Sequence, residues 1–306
     1  MKKLSRRAFL GTTAGVTGAA VAGHSADLEK GWIDAHVHVW TSEFSTYPIS
    51  PNFLDHEPVP ATFMPSELFE IQEGTGVRRT VLVQMSFYEF GNQFMLDVMD
   101  NFPGRFGGIG IVNHQLNNVG TVMTRMAEKG VRGFRLYAFP DRVKEWETSP
   151  GIRKMWKTGG DEGLAMCCLA NPEVLPVIRK MCETYPETRV VIDHFSRVGM
   201  KGSIDQGELD ALLGLAEFSN VFVKTSAFYA LGAKSPPYLD LLPMFQQVRD
   251  AFGAERLMWG SDCPYQVQGE HTYEASLALV TEHADFLSND EREQILGGTA
   301  ERLFFS

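Results

Sequence analysis

The sequence predicts an α/β fold, a single (β/α)₈ TIM barrel, and three observations support this prediction. Eight short runs rich in β-branched and aromatic residues alternate with amphipathic helical stretches along residues 27–306. That length suits a (β/α)₈ barrel, which needs ~250 residues. No glycine-rich phosphate loop follows the first run, which disfavours the dinucleotide-binding version of an open doubly wound sheet, the alternative fold.

Residues 1–26 are predicted to be a signal peptide that precedes the barrel. The segment has a basic start, twin arginines Arg6 and Arg7 in SRRAFLG, and then a weakly apolar stretch of Ala, Gly, Val and Thr. This order is typical of a twin-arginine export signal, and residues 20–22 offer an A-x-A cleavage site, although a cut nearer Ala26 is also compatible. We therefore expect an exported, periplasmic protein whose one domain covers residues 27–306.

The barrel elements follow from apolar runs that are bounded by Gly, Pro or polar residues. The predicted strands are residues 32–39, 80–85, 107–112, 131–138, 164–170, 189–194, 221–226 and 256–261. Helical periodicity is clearest in four of the intervals between them, namely residues 94–102, 117–130, 171–185 and 208–218.

The interval after strand 1, residues 40–65, is long and rich in Pro, Ser and aromatic residues. In a barrel it would lie over the C-terminal face, where substrate enters. Its aromatic side chains either stack on a ring-shaped substrate or pack the loop onto the barrel, and the sequence favours neither over the other.

Composition and charge exclude several classes of partner. The chain is 44% hydrophobic and 22% charged, with a formal net charge of −10, so it has no broad basic surface for nucleic acid. No run approaches the ~18 apolar residues of a spanning helix, so no membrane association is expected after signal cleavage. The four cysteines form no disulfide framework. The expected partner is a small molecule, and homo-oligomerisation is left open.

Polar and titratable side chains recur where the predicted strands end. Because catalytic residues of a (β/α)₈ barrel come from the C-terminal ends of different strands, these side chains are expected to converge on one mouth. They are His36 and His38 on strand 1, Arg135 and Tyr137 on strand 4, His194 and then Arg197 after strand 6, Lys224 on strand 7, and Asp262 after strand 8.

The first strand, in GWIDAHVHVW, is the least ordinary of these segments. Side chains alternate across a strand, so Asp34, His36 and His38 are predicted to share one face. Two imidazoles on one strand face leave several ring nitrogens that need partners, which indicates a functional site more than a structural one.

Five segments resemble the amidohydrolase superfamily. IDAHVHVW, VRGFRLYA, VVIDHFSRV, MWGSDCPY and ILGGTAERLF occur in that order over essentially the whole chain after the signal. The chain is most similar to the amidohydrolase-related branch (amidohydrolase 2), in particular to the lactonase group of 2-pyrone-4,6-dicarboxylate and sugar-acid lactonases. The resemblance implies that the family's site residues are His36, His38, His194 and Asp262.

The resemblance also implies a reaction, the hydrolysis of a carboxylated lactone or a related cyclic ester. Asp262 is expected to activate a water as general base, while His36, His38 and His194 polarise the carbonyl. Substrate carboxylates are expected to bind the group formed by Arg135, Tyr137, Arg197 and Lys224.

The sequence departs from the family's metal-binding patterns. Strand 5, LAMCCLA, has no histidine of the kind that the zinc-dependent decarboxylases use, and strand 4 offers Arg135 in place of a lysine. A binuclear centre is therefore disfavoured. One zinc on His36, His38 and Asp262, with His194 or a strand 5 cysteine as a further ligand, is left open without being obligatory. The alternative functions are a mononuclear zinc-dependent hydrolase, a non-oxidative decarboxylase, or a barrel that only binds an acid; the last has no need of the base Asp262.

Overall fold

The computed structural model describes residues 31–55 and 57–306, so the predicted signal peptide lies outside the described residues. Eight parallel strands form one sheet in sequence order, and each predicted strand corresponds to one of them. The strands are β1 (Trp32–Val37), β2 (Val77–Val83), β3 (Phe106–Gly110), β4 (Val131–Ala138), β5 (Ala165–Ala170), β6 (Val190–Ile192), β7 (Val221–Ser226) and β8 (Leu257–Gly260).

Two backbone hydrogen bonds connect the last strand to the first. The Asp262 N–H donates to the His36 carbonyl at 2.8 Å, and the His38 N–H donates to the Cys263 carbonyl at 2.9 Å. They bring the segment after β8 beside β1, so the sheet curls into a nearly closed barrel. The predicted (β/α)₈ architecture is therefore confirmed.

Helices follow the strands and cover the outside of the barrel. They are α1 (Pro65–Gln72), α2 (Gln93–Asn101), α3 (Val119–Ala127), α4 (Pro150–Glu162), α5 (Leu175–Thr184), α6 (Gln206–Leu213), α7 (Leu242–Phe252), α8 (Tyr273–Ala278), α9 (Asn289–Glu293) and α10 (Thr299–Phe304). The bounds of α4 follow from its sequence, because the Ser149 hydroxyl accepts from the Ile152 N–H, Pro150 opens the first turn, and Gly163 ends the helix at φ +66°. No helix within the described ranges has both the length and the apolar character needed to cross a bilayer.

The barrel interior is a packed core. Its apolar side chains form one cluster that includes Ile33, Val81, Ile109, Val191 and Met258. Helix α10 contributes to the same cluster and lies against the N-terminal ends of the strands. There its Glu301 pairs with Arg79 of β2. The N-terminal end of the barrel is thus covered, and the C-terminal end is where a ligand can enter.

The long loop between β1 and α1 packs onto the barrel through its aromatic residues. Trp40 is fully buried, and its indole N–H donates to the Pro60 carbonyl at 3.0 Å. Tyr47 is buried too, and its hydroxyl donates to Asp97 of α2 at 2.9 Å. For these two rings the packing alternative is the one that the contacts support. Phe53 instead lines a cavity that is described below.

Candidate active site

Strand β1 contains a β-bulge that determines which of its side chains reach the site. Asp34 pairs with Thr80 and Val37 pairs with Leu82, so three steps along β1 correspond to two steps along β2. One extra residue on one strand reverses the alternation of the side chains beyond it. His36 therefore points towards the mouth of the barrel although Asp34, two residues earlier, does not.

Asp34 lies on the outer side of the strand, and the prediction that it shares a face with both histidines is wrong. Its fully buried carboxylate accepts hydrogen bonds from the Tyr273 hydroxyl at 2.9 Å and from the Ser261 N–H at 2.8 Å. It also accepts from the His36 N–H at 3.2 Å. Asp34 thus joins the bulge of β1 to the end of β8, immediately before Asp262.

Four of the predicted residues meet at the mouth. His36 Nε2 lies 3.3 Å from His38 Nε2, and Asp262 Oδ1 lies 3.5 Å and 3.4 Å from these two nitrogens. His194 Nε2 lies 3.9 Å from Asp262 Oδ2, and the His36 and His194 rings are 4.4 Å apart. All four residues are buried. The predicted convergence of strand ends is present in the structure.

Two of these residues, His194 and Asp262, have backbone in the left-handed conformation. The four residues of the turn after β6, His194 to Arg197, have φ between +50° and +60°, and Asp262 after β8 has φ +66°. Residues with a Cβ rarely adopt this conformation, at a cost of roughly 1–2 kcal/mol each. Such strain persists where the surrounding structure holds it, and it clusters at functional sites.

A buried ion pair lies directly beneath His36. Lys224 Nζ lies 3.2 Å from Asp193 Oδ1 and 3.2 Å from His36 Nδ1, and both Lys224 and Asp193 are 0% exposed. Arg135 Nη2 lies 3.6 Å from the other oxygen of Asp193. Lys224 was predicted to hold a substrate carboxylate, but its ammonium group contacts these protein groups in the barrel interior, away from the cavity lining.

Burial and neighbouring charges shift the pKa values of this cluster. Burial alone raises the pKa of the Asp193 carboxyl, but Lys224 and His36 outweigh burial and hold it well below its usual range. Burial, and next the Lys224 charge, hold the pKa of His36 well below its usual value, and burial lowers the pKa of His194 to about 4. Burial also raises the pKa of Asp262, but the three histidines, His194 foremost, outweigh it and lower that pKa. Near pH 7 His36 and His194 are therefore neutral, and both carboxylates are ionised.

A cavity of about 490 Å³ opens beside these groups. Its lining brings together six of the predicted residues with cationic and aromatic side chains that the sequence did not single out. The predicted residues are His38, Arg135, Tyr137, His194, Arg197 and Asp262, and the additional ones include Tyr229, Lys234 and Tyr265. A second cavity, of about 320 Å³ and mostly apolar, adjoins the first and shares Ser86, Arg135, Tyr137 and Phe139 with it.

Sequence reasoning missed Tyr229 and Asp193. The Tyr229 hydroxyl donates to Asp262 Oδ2 at 2.7 Å from the short turn after β7, and burial and then Asp262 raise its pKa. No motif in the sequence around Tyr229 indicates a functional role for this residue. Asp193 could have been found, because it follows three buried apolar residues of β6 and directly precedes His194.

The donor atoms fit one divalent metal ion. The sides of the triangle formed by His36 Nε2, His38 Nε2 and Asp262 Oδ1 match the ligand-to-ligand spacing of roughly 3.3 Å in tetrahedral zinc sites. Asp262 Oδ1 is buried and accepts no hydrogen bond from the described residues. His36, His194 and Asp262 also offer ligand atoms within 4.8 Å of one another.

Strand β5 supplies no further ligand of the predicted kinds. Cys167 faces the barrel interior and Cys168 the outer core. Burial raises the pKa of Cys167 to about 12 and that of Cys168 well above its usual value, so both stay protonated thiols. Neither sulfur belongs to the described group of ligand atoms that lie within 4.8 Å of one another, which comprises His36, His194 and Asp262, so these cysteines do not replace the absent histidine.

Known proteins with the same architecture are lactone hydrolases and other amidohydrolases. An L-fucono-1,5-lactonase of Burkholderia ambifaria is 29% identical over 272 residues, which cover 88% of this chain and 93% of the lactonase. A 2-pyrone-4,6-dicarboxylate hydrolase of Comamonas testosteroni is 24% identical over 253 residues, or 80% of each chain.

Solved structures agree with this picture. A Pseudomonas putida protein named as a 2-pyrone-4,6-dicarboxylic acid hydrolase superposes with a TM-score of 0.74 at 26% identity, covering 90% of this chain and 98% of its own. A Burkholderia multivorans amidohydrolase with bound zinc has a TM-score of 0.73 at 23% identity, with coverage of 90% and 99%, and shares the fold. The amidohydrolase family model matches residues 33–305, and the chain therefore belongs to the amidohydrolase family.

Proposed function

We propose that the protein hydrolyses a lactone, or a related cyclic ester, that carries one or more carboxylate groups. One observation carries the proposal: the ionised Asp262 lies among three histidines at the edge of a cavity that Arg135 and Arg197 also line. A base beside the neutral imidazoles of His36 and His194 can activate water, and the two guanidinium groups supply charge for an anionic substrate. The lactone hydrolases among the relatives of this chain support the same reaction class.

Asp262 is the proposed general base. Its carboxylate accepts a proton from a water molecule as the water oxygen attacks the lactone carbonyl carbon. When the tetrahedral intermediate collapses, the carbon–oxygen bond of the ring breaks and Asp262 returns the proton to the departing ring oxygen. The Tyr229 hydroxyl, bound to Oδ2, orients the carboxylate so that Oδ1 faces His36 and His38.

His36 and His194 are proposed to polarise the carbonyl. His194 Nδ1 lies 2.8 Å from the Ser226 hydroxyl, and if this hydroxyl donates to Nδ1, the Nε2–H is free to donate to the developing oxyanion. His38 Nδ1 donates to the Val83 carbonyl at 2.8 Å, which fixes the ring and leaves its Nε2 towards Asp262. A divalent metal ion held by His36, His38 and Asp262 would supply an electrophile and a more acidic water when bound.

Arg135 and Arg197 are proposed to hold the substrate carboxylates. A guanidinium group presents a planar fork that matches a carboxylate. Arg197 is held in place by a hydrogen bond from Nη1 to Asn171 Oδ1 at 2.9 Å, and Arg135 lies 5.7 Å above the Tyr137 ring. Tyr137 lines the same cavity and is proposed to complete this subsite.

The test is a hydrolysis screen with the purified protein, before and after treatment with a zinc chelator. The panel pairs each carboxylated lactone, among them sugar-acid lactones and pyrone dicarboxylates, with a matched lactone that lacks the carboxylate. We expect ring opening of at least one carboxylated lactone and a much lower rate with its partner. Carbon dioxide release from aromatic acids without any ring opening would overturn the proposal. Activity that chelation removes and zinc restores would favour the zinc-dependent alternative.

We also propose that the reaction takes place in the periplasm, because the twin-arginine pattern at Arg6 and Arg7 is typical of an exported protein. The check is fractionation of cells that express the full chain, followed by determination of the protein's N-terminus. We expect a periplasmic product that begins near residues 23–27. An intact N-terminus confined to the cytoplasm would contradict export.

A further inference from the structure

One atom of the site, His36 Nδ1, faces two buried partners with opposite requirements. Lys224 Nζ lies 3.2 Å from this nitrogen and Asp193 Oδ1 lies 3.5 Å from it. An ammonium group can only donate a hydrogen bond, and a carboxylate can only accept one. A neutral imidazole has one protonated nitrogen, so at any time Nδ1 serves either Lys224 or Asp193.

The choice determines what the opposite nitrogen presents to the mouth of the barrel. When Nδ1 accepts from Lys224, the imidazole proton is on Nε2 and points at His38 and Asp262, 3.3 Å and 3.5 Å away. When Nδ1 donates to Asp193, Nε2 presents a lone pair to the same place. Only the second arrangement lets His36 bind a metal ion, and it reproduces the carboxylate–histidine–metal arrangement of metal sites.

Distance and charge both favour the first arrangement. Lys224 Nζ lies 3.2 Å from His36 Nδ1, nearer than Asp193 Oδ1 at 3.5 Å. The same ammonium group forms an ion pair with Asp193 Oδ1 at 3.2 Å, although this oxygen accepts no hydrogen bond from the described residues. With His36 and His194 neutral, the charged groups nearest the His36 ring are the cations Lys224 and Arg135 and the anions Asp193 and Asp262, while the buried Asp34 carboxylate lies on the outer side of β1. A divalent ion would bring two more positive charges to within one imidazole ring of a buried ammonium group.

We propose that Lys224 sets the metal affinity of this centre, by occupying His36 Nδ1 and so keeping a proton where a ligand lone pair would be needed. Asp193 acts in the opposite direction. For zinc to bind, the imidazole proton must move from Nε2 to Nδ1 and Lys224 must give up its contact with the ring. Lys224 is thus a positioning residue, and the inference does not depend on the identity of the substrate.

The experiment measures zinc affinity, by competition with a chromophoric chelator, for the full-length wild type and for Lys224→Met. Methionine keeps the length of the side chain and removes the donor and the charge. We expect Lys224→Met to bind zinc about 10–100-fold more tightly, the size of effect known for residues behind a metal ligand. The matched control is Lys234→Met, which removes a lysine charge from the cavity lining and should leave the affinity near that of the wild type.

A second measurement reports the imidazole proton directly. In ¹⁵N NMR spectra of histidine-labelled protein without metal, His36 should be the Nε2–H tautomer in the wild type and the Nδ1–H tautomer in Lys224→Met. A wild type with His36 protonated on Nδ1 would overturn the proposal, as would a folded Lys224→Met with unchanged or weaker zinc binding. If Lys224→Met does not fold, the wild-type spectrum decides alone.

Discussion

The two halves of the barrel are built differently. Strands β1, β6, β7 and β8 end in buried charged or imidazole groups and in irregular backbone, with a bulge in β1 and left-handed residues after the other three. Strands β2 to β5, here called the regular half although β3 and β4 pair with one shift in register, contribute Arg135 and Tyr137 to the site. They otherwise fill the barrel interior with apolar side chains such as Val81, Ile109 and Cys167. The reacting groups are thus concentrated around β1, β6, β7 and β8, which we call the irregular half.

This difference between the halves shows how the fold maintains the geometry of the site. Left-handed residues and buried ions are costly, and they persist only where the rest of the fold determines their positions. The regular half supplies that support through packing, and it borders the second, mostly apolar cavity. Substitutions of the reacting groups in the irregular half should therefore change catalysis, whereas matched substitutions in the regular half should change stability or nothing.

The largest expected effect is that of Asp262→Asn. The amide cannot accept a proton from water at neutral pH, so kcat should fall by about 10³-fold or more while the protein stays folded. The matched control is Asp97→Asn on α2, the same chemical change in the regular half, where the amide oxygen can still accept from the Tyr47 hydroxyl. Turnover and circular dichroism measure the two variants. An Asp262→Asn enzyme with more than about a tenth of the wild-type kcat would contradict the proposed base.

A further test concerns the protonation state of His194 in the irregular half. Because burial lowers the pKa of His194 to about 4, the imidazole should stay neutral as the pH falls through about 6.5, where an exposed histidine gains its proton. NMR titration of the wild type, with the signal assigned from a His194→Gln variant, should give a midpoint near 4. At pH 5 an ordinary histidine would be almost wholly protonated and His194 mostly neutral. A midpoint near 6.5 would show that the site is more hydrated than its burial indicates.

A smaller effect on rate is expected from Tyr229→Phe. This change removes the hydrogen bond to Asp262 Oδ2 and leaves the ring, so kcat should fall about tenfold because the base is less well oriented. The comparison is Tyr88→Phe in the regular half, whose hydroxyl bonds the Thr41 backbone. That variant should lose about 1 kcal/mol of unfolding free energy and keep its kcat. If both variants lose only stability, Tyr229 has no role in positioning the base.

The sequence predicted the regular half well because its signals are local. Apolar runs bounded by glycine and proline mark all eight strands, and the observed bounds differ from the predicted ones by up to three residues. The convergence of His36, His38, His194 and Asp262 was also predictable, since barrel topology brings strand ends together. These predictions needed only periodicity and the order of the elements.

The irregular half was harder, because its features depend on contacts between distant segments. Asp34 was assigned to the wrong face, since one extra residue in β1 is visible only in the register with β2. Lys224 was assigned to substrate, because a strand-end lysine gives no sign that Asp193 will neutralise it in the interior. The left-handed turn that begins at His194 contains no glycine, so no residue signalled it.

The smallest expected effect tests the strain directly, with the same substitution in both halves. Ala227, after β7, has φ +56° and is buried, so Ala227→Gly relieves roughly 1–2 kcal/mol of strain. The greater entropy of the unfolded chain costs about 0.5–1 kcal/mol and the lost methyl group about 0.8 kcal/mol, so the unfolding free energy should change by less than about 1 kcal/mol. Ala165, buried within the regular strand β5, has no such strain to relieve. Ala165→Gly should therefore lose about 1–2 kcal/mol through backbone entropy and the buried methyl group. Denaturant unfolding measures both variants, and the comparison fails if Ala227→Gly lowers the unfolding free energy as much as Ala165→Gly does.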